Sequence, residues 1–485
     1  MGKISLLFLG AILLLGVFVR LYRFDNPIAD WHSWRQADTS AVSWNFAHNG
    51  FDIFHPKYFD ISNVQSGFDN PQGYRFVEFP LYNIAQAGLF TLFHTFTLEQ
   101  WGRLVTIFSS IVGSLFLFLF VKRRANAHVA WFVLLFLLFL PYNIYYGRTI
   151  LPDTSMIATM LGGLFFLDKW LDGFREKKKN IPNILYLFLA LLCTAMSFLL
   201  KGYTLFYGLS FLTLIYSVMK FKLFKRWELW VFALVSMLPF ILWRKYILSY
   251  PEGIPVSAWL FNGNGIRFHP AFFRWIFYER LTKLIGGFGN AVYIPLGILG
   301  IWKLRKDILF FFSFVLSAAI YVFVIATGNV QHDYYQIVIM PAIAIMMGFG
   351  AVWLLQLLKN FLPVYISYSV VVLIILGGFW ISWIQVRDYF NINNIAVVHA
   401  GEIVAKNTPK NAKIIAPYDG DTTLLYYTKR KGWPSFEHSL PELHKMGADF
   451  LVLVNPKPAD YGIGKEYAII VATKEYILFN LNKKP

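Results

Sequence analysis

Apolar positions in this chain fall in long unbroken blocks, not in the alternation of a half-buried strand or the stripe of a soluble helix. A helix that crosses a bilayer needs about 20 mostly apolar residues. Eleven blocks meet or approach that length: 4–22, 102–121, 129–147, 154–171, 183–200, 203–219, 228–247, 289–302, 308–327, 336–357 and 364–386. The block at 289–302 is short. The first block follows Lys3, and RLYRF succeeds it with no small-x-small cleavage site, so it reads as an uncleaved span rather than a signal peptide.

One further run, PLYNIAQAGLFTLFHTF (80–96), is interrupted by Asn83, Gln86 and His94. Four basic clusters decide how to read it: KRR (122–124), REKKK (175–179), KFKLFKR (220–226) and KLRK (303–306). If 80–96 does not cross, all four lie on the side of Lys3, as the positive-inside trend demands. The run is therefore expected as a helix along the outer interface. The amino terminus is then cytoplasmic, and the long polar loops at 23–101 and 248–288 are extracytoplasmic.

After residue 386 charges return and apolar runs shorten. AKIIAPY (412–418), ADFLVLV (448–454) and YAIIVAT (467–473) read as strands, AGEIVAKN (400–407) and LPELHKMG (440–447) as short helices. Their alternation predicts a small α/β domain over 387–485, outside the membrane. The expected architecture is a polytopic all-α membrane bundle over 1–386, with external juxtamembrane helices, followed by that domain.

Composition agrees. Of 485 residues 57% are hydrophobic and only 15% charged, where a soluble protein carries about 25% charged. Aromatics reach 19%, which suits interfacial belts and a lipid or sugar site. The net charge of +17 comes from clusters between spans, with no basic run interleaved with aromatics, so nucleic acid is not an expected partner. The single cysteine, Cys193, excludes an intrachain disulfide.

Candidate chemistry lies at the outer ends of the spans. In HSWRQADTSAVSWNF (32–46), Ser33 and Gln36 fit a capping box, and the helix so begun places Arg35 and Asp38 three apart on one face. A surface ion pair is the plain alternative. An Asp38 held ionised by Arg35 is a candidate general base toward a hydroxyl. Asp153, after Pro152 in GRTILPDTSM, either complements the dipole of a helix start or faces an interior cavity. Lys201 occupies a tight external turn, LLKGYT, where a snorkelling lysine defies the positive-inside trend and an ammonium can hold a phosphate. QHDYYQIVIMP gathers His332, Asp333, Tyr334 and Tyr335 at the outer end of a span, as an aromatic belt or a phosphate or sugar site. Glu78, in RFVEFPLYN, and the loop residues Arg267, His269 and Arg274 are further candidates. No HExxH, paired CxxC, P-loop or GxGxxG is present, and no metal or cofactor is expected.

In their order and common sidedness, WRQADTSAVSWNF, VEFPLYN, LPDTSM, LLKGYT and HDYYQIVIMP resemble the polytopic C-type (GT-C) glycosyltransferases, the superfamily of protein O-mannosyltransferases and lipid A aminoarabinose transferases. The resemblance covers nearly the whole chain. It implies a polyprenyl-phosphate sugar as donor and a lipid, glycan or protein hydroxyl as acceptor, with inversion at the outer face of the cell membrane. Asp38 would be the base, with Asp153 a second acid in the same cavity. Lys201 and Tyr335 would hold the lipid phosphate, with Arg35 and His332 beside them and Glu78, Tyr334 and Arg267 lining the substrate cavity. Two departures exist. Thr39 follows Asp38 where many relatives have a second acid. Glu78-Phe79-Pro80 replaces the Glu-Lys-Pro of the aminoarabinose transferases, which leaves Arg35 to substitute for the lysine and argues against a close aminoarabinose transferase. A transporter or flippase for a lipid-linked glycan would use the same acids as a substrate or proton path. Against it, no inverted repeat is visible. Glycan or peptide recognition by the α/β tail is compatible with either.

Overall fold

The computed structural model describes residues 2–175, 184–303 and 307–485. Most of the REKKK and KLRK clusters lies outside the described residues. The chain is a predominantly helical integral membrane protein carrying a small C-terminal sheet. Each expected apolar block holds a helix. Six helical stretches are long and apolar enough to cross a bilayer: Lys3–Arg20, Leu98–Arg124, Gly202–Lys225, Trp227–Ile247, Asp333–Leu358 and Val364–Phe390. Others are shorter. Ala127–Phe139, at 13 residues, spans only about 20 Å.

Two compact units are present, each built from separated segments. One comprises Met1–Tyr22, Leu104–Trp243 and Ser257–Asp388. Its helices expose Leu7, Phe18, Leu373 and Trp380, each more than 60% accessible, an apolar surface that lipid covers. Inside, the Met340–Leu358 helix is buried at every residue from Met340 to Val352. It packs against Tyr293–Lys303 with the backbones in near contact, because a Cβ at Gly297 would strike the Met346 backbone and one at Gly350 the Tyr293 backbone. At the KRR end, the buried Asp168 receives Arg123 at 2.8 Å and Arg175 at 2.7 Å, while Arg124 reaches Asp307 at 2.9 Å. Much of that basic cluster is therefore spent on fixing helices to one another.

The other unit comprises Arg23–Arg103, Arg244–Val256 and Tyr389–Pro485. Its sheet has the order β2-β1-β3-β5-β4, with β1 Lys413–Ile415, β2 Lys431–Trp433, β3 Phe450–Val454, β4 Ala468–Ala472 and β5 Tyr476–Asn480. β1 runs parallel to β2 and β3, whereas β5 is antiparallel to β3 and β4. The first polar loop docks on the free edge of β2: the Ile61 amide donates to Gly432 O at 2.9 Å, and the Gly432 amide donates to Phe59 O at 2.9 Å. Only glycine fits there, since a Cβ would collide with the Ile414 carbonyl. Ile61 completes the core formed by Ile415, Trp433, Leu451 and Phe479.

The ambiguous run at 80–96 forms a helix only over Leu81–Leu92, 12 residues or about 18 Å, too short to cross. Its polar residues serve docking onto the Ser33–Asn49 helix. Asn83 Nδ2 donates to Thr39 O at 2.7 Å, and Gln86 accepts from Ser43 Oγ at 2.7 Å while donating to Leu98 O at 2.9 Å.

Candidate functional site

Asp38 lies in the middle of the Ser33–Asn49 helix with its side chain fully buried. The expected capping box does not form. His32, in the left-handed region at φ 54°, is the N-cap, and Ser33 is already helical. Gln36 turns instead to Asp30, donating from Nε2 to Oδ1 at 2.7 Å, because Asp30 lies beneath it in the turn that leads into the helix.

The expected Arg35–Asp38 pair is also replaced. Arg35 Nη2 donates to Glu78 Oε1 at 2.6 Å, so these two candidates hold each other. The counter-charge of Asp38 is Arg75, whose Nη2 donates to Oδ2 at 2.6 Å. Thr422 Oγ1 donates to the other oxygen, Oδ1, at 2.7 Å. A residue three along a helix loses here to partners 37 and 384 residues away. Arg75 is itself buried, its guanidinium carbon 5.0 Å from the centre of the Tyr58 ring. Tyr58 Oη donates to Asp60 Oδ2 at 3.3 Å. Burial lifts the Asp60 carboxyl to about 6, the hydrogen bonds from Ser62 opposing that rise and the nearby Asp38 adding to it. Burial raises the Asp421 carboxyl as well. Asp60 thus lies near both Asp38 and Arg75, and Asp421 near Asp38; these two carboxyls, which do not pair with the arginine, are shifted toward the neutral form.

In the other unit, Asp153 opens the Asp153–Arg175 helix and is fully buried. Lys201 Nζ bridges both its oxygens at 2.8 and 2.9 Å. The ammonium also lies 5.3 Å from the centre of the Tyr203 ring. Tyr203 approaches Tyr321 and Tyr335, at 5.1 and 6.3 Å between ring centres. Tyr335 stacks on Tyr334 at 4.5 Å, and His332 stacks on Tyr334 at 5.6 Å. Lys201, Tyr334, Tyr335 and His332 therefore belong to one continuous polar and aromatic cluster with Asp153. Arg267 donates to Val324 O at 3.0 Å, whereas His269 is exposed and Arg274 is exposed beside Glu279.

Sequence reasoning gave no role to Arg75, Thr422, Asp60 or Arg280, and grouped Asp333 with its neighbours without naming a partner for it. Asp333 accepts from Tyr146 Oη at 2.6 Å and faces Arg280 Nη1 at 3.9 Å. Arg280 lies on an irregular π-helical stretch, Arg274–Ile285, that no periodicity announces. Among the described residues no group of three or more His, Cys, Asp or Glu is arranged to hold a metal ion.

The sequence matches no known family model and no curated protein. The fold does have known counterparts. It resembles ArnT from Cupriavidus metallidurans bound to undecaprenyl phosphate, with a TM-score of 0.67 and 14% identity over 99% of this chain and 98% of that one. The apo state of the same protein gives 0.65. The archaeal oligosaccharyltransferase AglB from Archaeoglobus fulgidus, in complex with an inhibitory peptide and a dolichol-phosphate, gives 0.57 with 11% identity over 93% of this chain and 70% of that one. The fold is that of the GT-C glycosyltransferases.

Proposed function

We propose that this protein is a membrane glycosyltransferase. It moves a sugar from a polyprenyl-phosphate donor to an acceptor hydroxyl on the extracytoplasmic face of the cell membrane, with inversion. The observation that carries this reading is Asp38, a fully buried carboxylate fixed at both oxygens by an arginine and a threonine, in a chain with the GT-C fold. The lipid-phosphate donor is inferred from the ligands of ArnT and AglB.

Asp38 removes the proton of the acceptor hydroxyl. The acceptor oxygen then bonds to the anomeric carbon as the bond from that carbon to the phosphate oxygen breaks, and polyprenyl phosphate departs. Each oxygen of a carboxylate offers two acceptor positions, so Asp38 can take that proton without giving up Arg75 or Thr422. Lys201 is the main cation for the departing phosphate, with Tyr335, His332 and Arg35 as further donors. In the free protein Asp153 holds the Lys201 ammonium in place, so no flexible lysine has to be ordered when phosphate arrives. Tyr334, Glu78 and Arg267 are assigned to the substrate cavity. A phosphomonoester-type leaving group needs less neutralisation than a pyrophosphate, so no metal is assigned.

The test is transfer of radiolabel from a polyprenyl-phosphate sugar to a hydroxyl acceptor by the purified protein in detergent. Labelled product together with free polyprenyl phosphate is the expected result. Movement of intact donor between the leaflets of proteoliposomes, with no transfer, would instead identify a flippase.

A further inference from the structure

A cleft of about 120 Å³ opens within the helical unit, at the end of the bundle that carries KRR (122–124). Three helix ends meet there. Asn126 caps the Ala127–Phe139 helix, Lys303 closes the Tyr293–Lys303 helix, and Gln356 lies in the last turn of the Met340–Leu358 helix. None of the residues assigned to transfer lines this cleft.

The sequence accounts for its walls. Phe349, Val352, Trp353 and Gln356 recur at the spacing of one helix face, and Gly300 and Lys303 stand three apart on the neighbouring helix. At Gly300 the two backbones nearly touch, since a Cβ there would meet the Phe349 carbonyl oxygen at 2.9 Å. One turn further on, the facing pair is Lys303 and Trp353, with the ammonium 5.5 Å from the centre of the indole ring. Both residues line the cleft, so the charge lies against its wall.

Lys303 is exposed and forms no ion pair among the described residues. The next acid along the chain, Asp307, is held by Arg124 at 2.9 Å. Asn126 accepts at Oδ1 from the Val129 amide at 2.9 Å, and its Nδ2 has no acceptor among the described residues. Gln356 is exposed. The polar lining is thus one ammonium and two carboxamides, with no carboxylate. That set attracts an anion and has no counter-charge for a cation. The Lys303 ammonium also takes the place over the Trp353 ring where a choline would sit.

Size and surroundings narrow the ligand. The volume is several times what one water needs, about 10–15 Å³, and well below the roughly 300 Å³ of a drug-sized site. It suits a phosphate with a small polar group, not a whole sugar or nucleotide. On the Lys303 helix, Trp302 is 70% exposed and Leu299 48%, an apolar surface that lipid covers.

We propose that this cleft holds one anionic phospholipid. Its phosphate sits on Lys303, the hydroxyls of its headgroup meet Asn126 and Gln356, and its acyl chains run along the apolar surface beside Trp302. A lysine that merely snorkels to the interface would show no such selectivity. The site makes and breaks no bond, so the proposal stands apart from Asp38 and from transfer.

The test is native mass spectrometry of the full-length protein in detergent, titrated with equal amounts of phosphatidylglycerol and phosphatidylcholine of the same chain length. Retention of one phosphatidylglycerol is expected, with a preference of at least about fivefold, the worth of one charge near the membrane surface. Lys303→Gln is expected to remove most of that preference, and Gln356→Trp, which fills the cleft from its exposed side, to abolish retention. Lys359→Gln removes an exposed lysine at the same helix end and is expected to change neither. The proposal is overturned if phosphatidylcholine is retained equally, if Q356W binds normally, or if K303Q and K359Q weaken binding alike, which would mark a general attraction to positive charge. Displacement of the lipid by excess inorganic phosphate would replace it with a site for a soluble anion.

Discussion

A buried carboxylate with one arginine partner is strongly coupled to that partner. Removing only Arg75 leaves Asp38 charged in a dry environment, a change that typically costs about 3–5 kcal/mol. Arg75→Met is therefore expected to lower thermal stability in detergent sharply, and Asp38→Asn with Arg75→Met to restore much of the loss. Equal destabilisation of the single and double variants would show that the 2.6 Å contact carries little coupling. Asp60 gives a pH signature. Its folded carboxyl titrates near 6, against about 3.9 in an unfolded chain. Between those values the folded state holds the proton more tightly, so this contribution is fully present below about pH 4 and is lost as pH rises through 6. Asp60→Asn is expected to remove that component, up to roughly 3 kcal/mol, and flatten the melting curve's dependence on pH over this interval. An unchanged pH dependence would contradict the burial assigned to Asp60. At this scale Asp38, Asp153 and Lys201 were singled out because a charge at the end of an apolar block is conspicuous, and each is held here by a charged partner. Arg75 and Thr422 were not singled out. Nothing in the spacing of a loop arginine or a tail threonine marks a contact with residue 38, and the local i, i+3 rule pointed to Arg35, which Glu78 holds.

Among the elements, long apolar helices were readable from length alone, and the charge asymmetry kept the run at 80–96, a helix only over Leu81–Leu92, from being read as a crossing. Strands β1, β3 and β4 follow their apolar runs. β2 is three residues, KGW, with a central glycine, so it has neither the length nor the pattern of a strand, whereas β5, YILFN, has both and was passed over in reading the tail. β2 exists through its pairing with β1, 18 residues earlier in the chain at Lys413↔Lys431. The Lys201 turn carries its own prediction. If the bridge to Asp153 preorganises the ammonium for a phosphate, Lys201→Met raises the donor KM by at least about tenfold, and Lys201→Arg recovers only part of it, since a planar fork replaces a point charge. A Lys201→Met protein with unaltered donor KM would leave the lysine a purely structural role.

For the whole chain, hydropathy identified the solvent, and the order of the motifs identified the fold. Fourteen per cent identity to ArnT is too low for sequence comparison alone, yet 99% of this chain aligns in space. Each motif is short, and helix packing, not residue identity, preserves the arrangement. In the proposed mechanism protein cations neutralise the leaving group, so chelation with EDTA is expected to leave transfer within about twofold of its untreated rate, well short of the loss seen when a catalytic group is removed. Loss of transfer that added Mg²⁺ or Mn²⁺ restores would assign carboxylates to a metal instead.

The central claim is that Asp38 is the base of a lipid-phosphate-dependent transfer. It is tested most directly by single-turnover transfer from a labelled polyprenyl-phosphate sugar in wild type and Asp38→Asn, with donor binding and thermal stability measured on the same samples. The account predicts normal folding and donor affinity, with transfer slowed by about 10²–10⁴-fold. Transfer by the folded variant at the wild-type rate would contradict it.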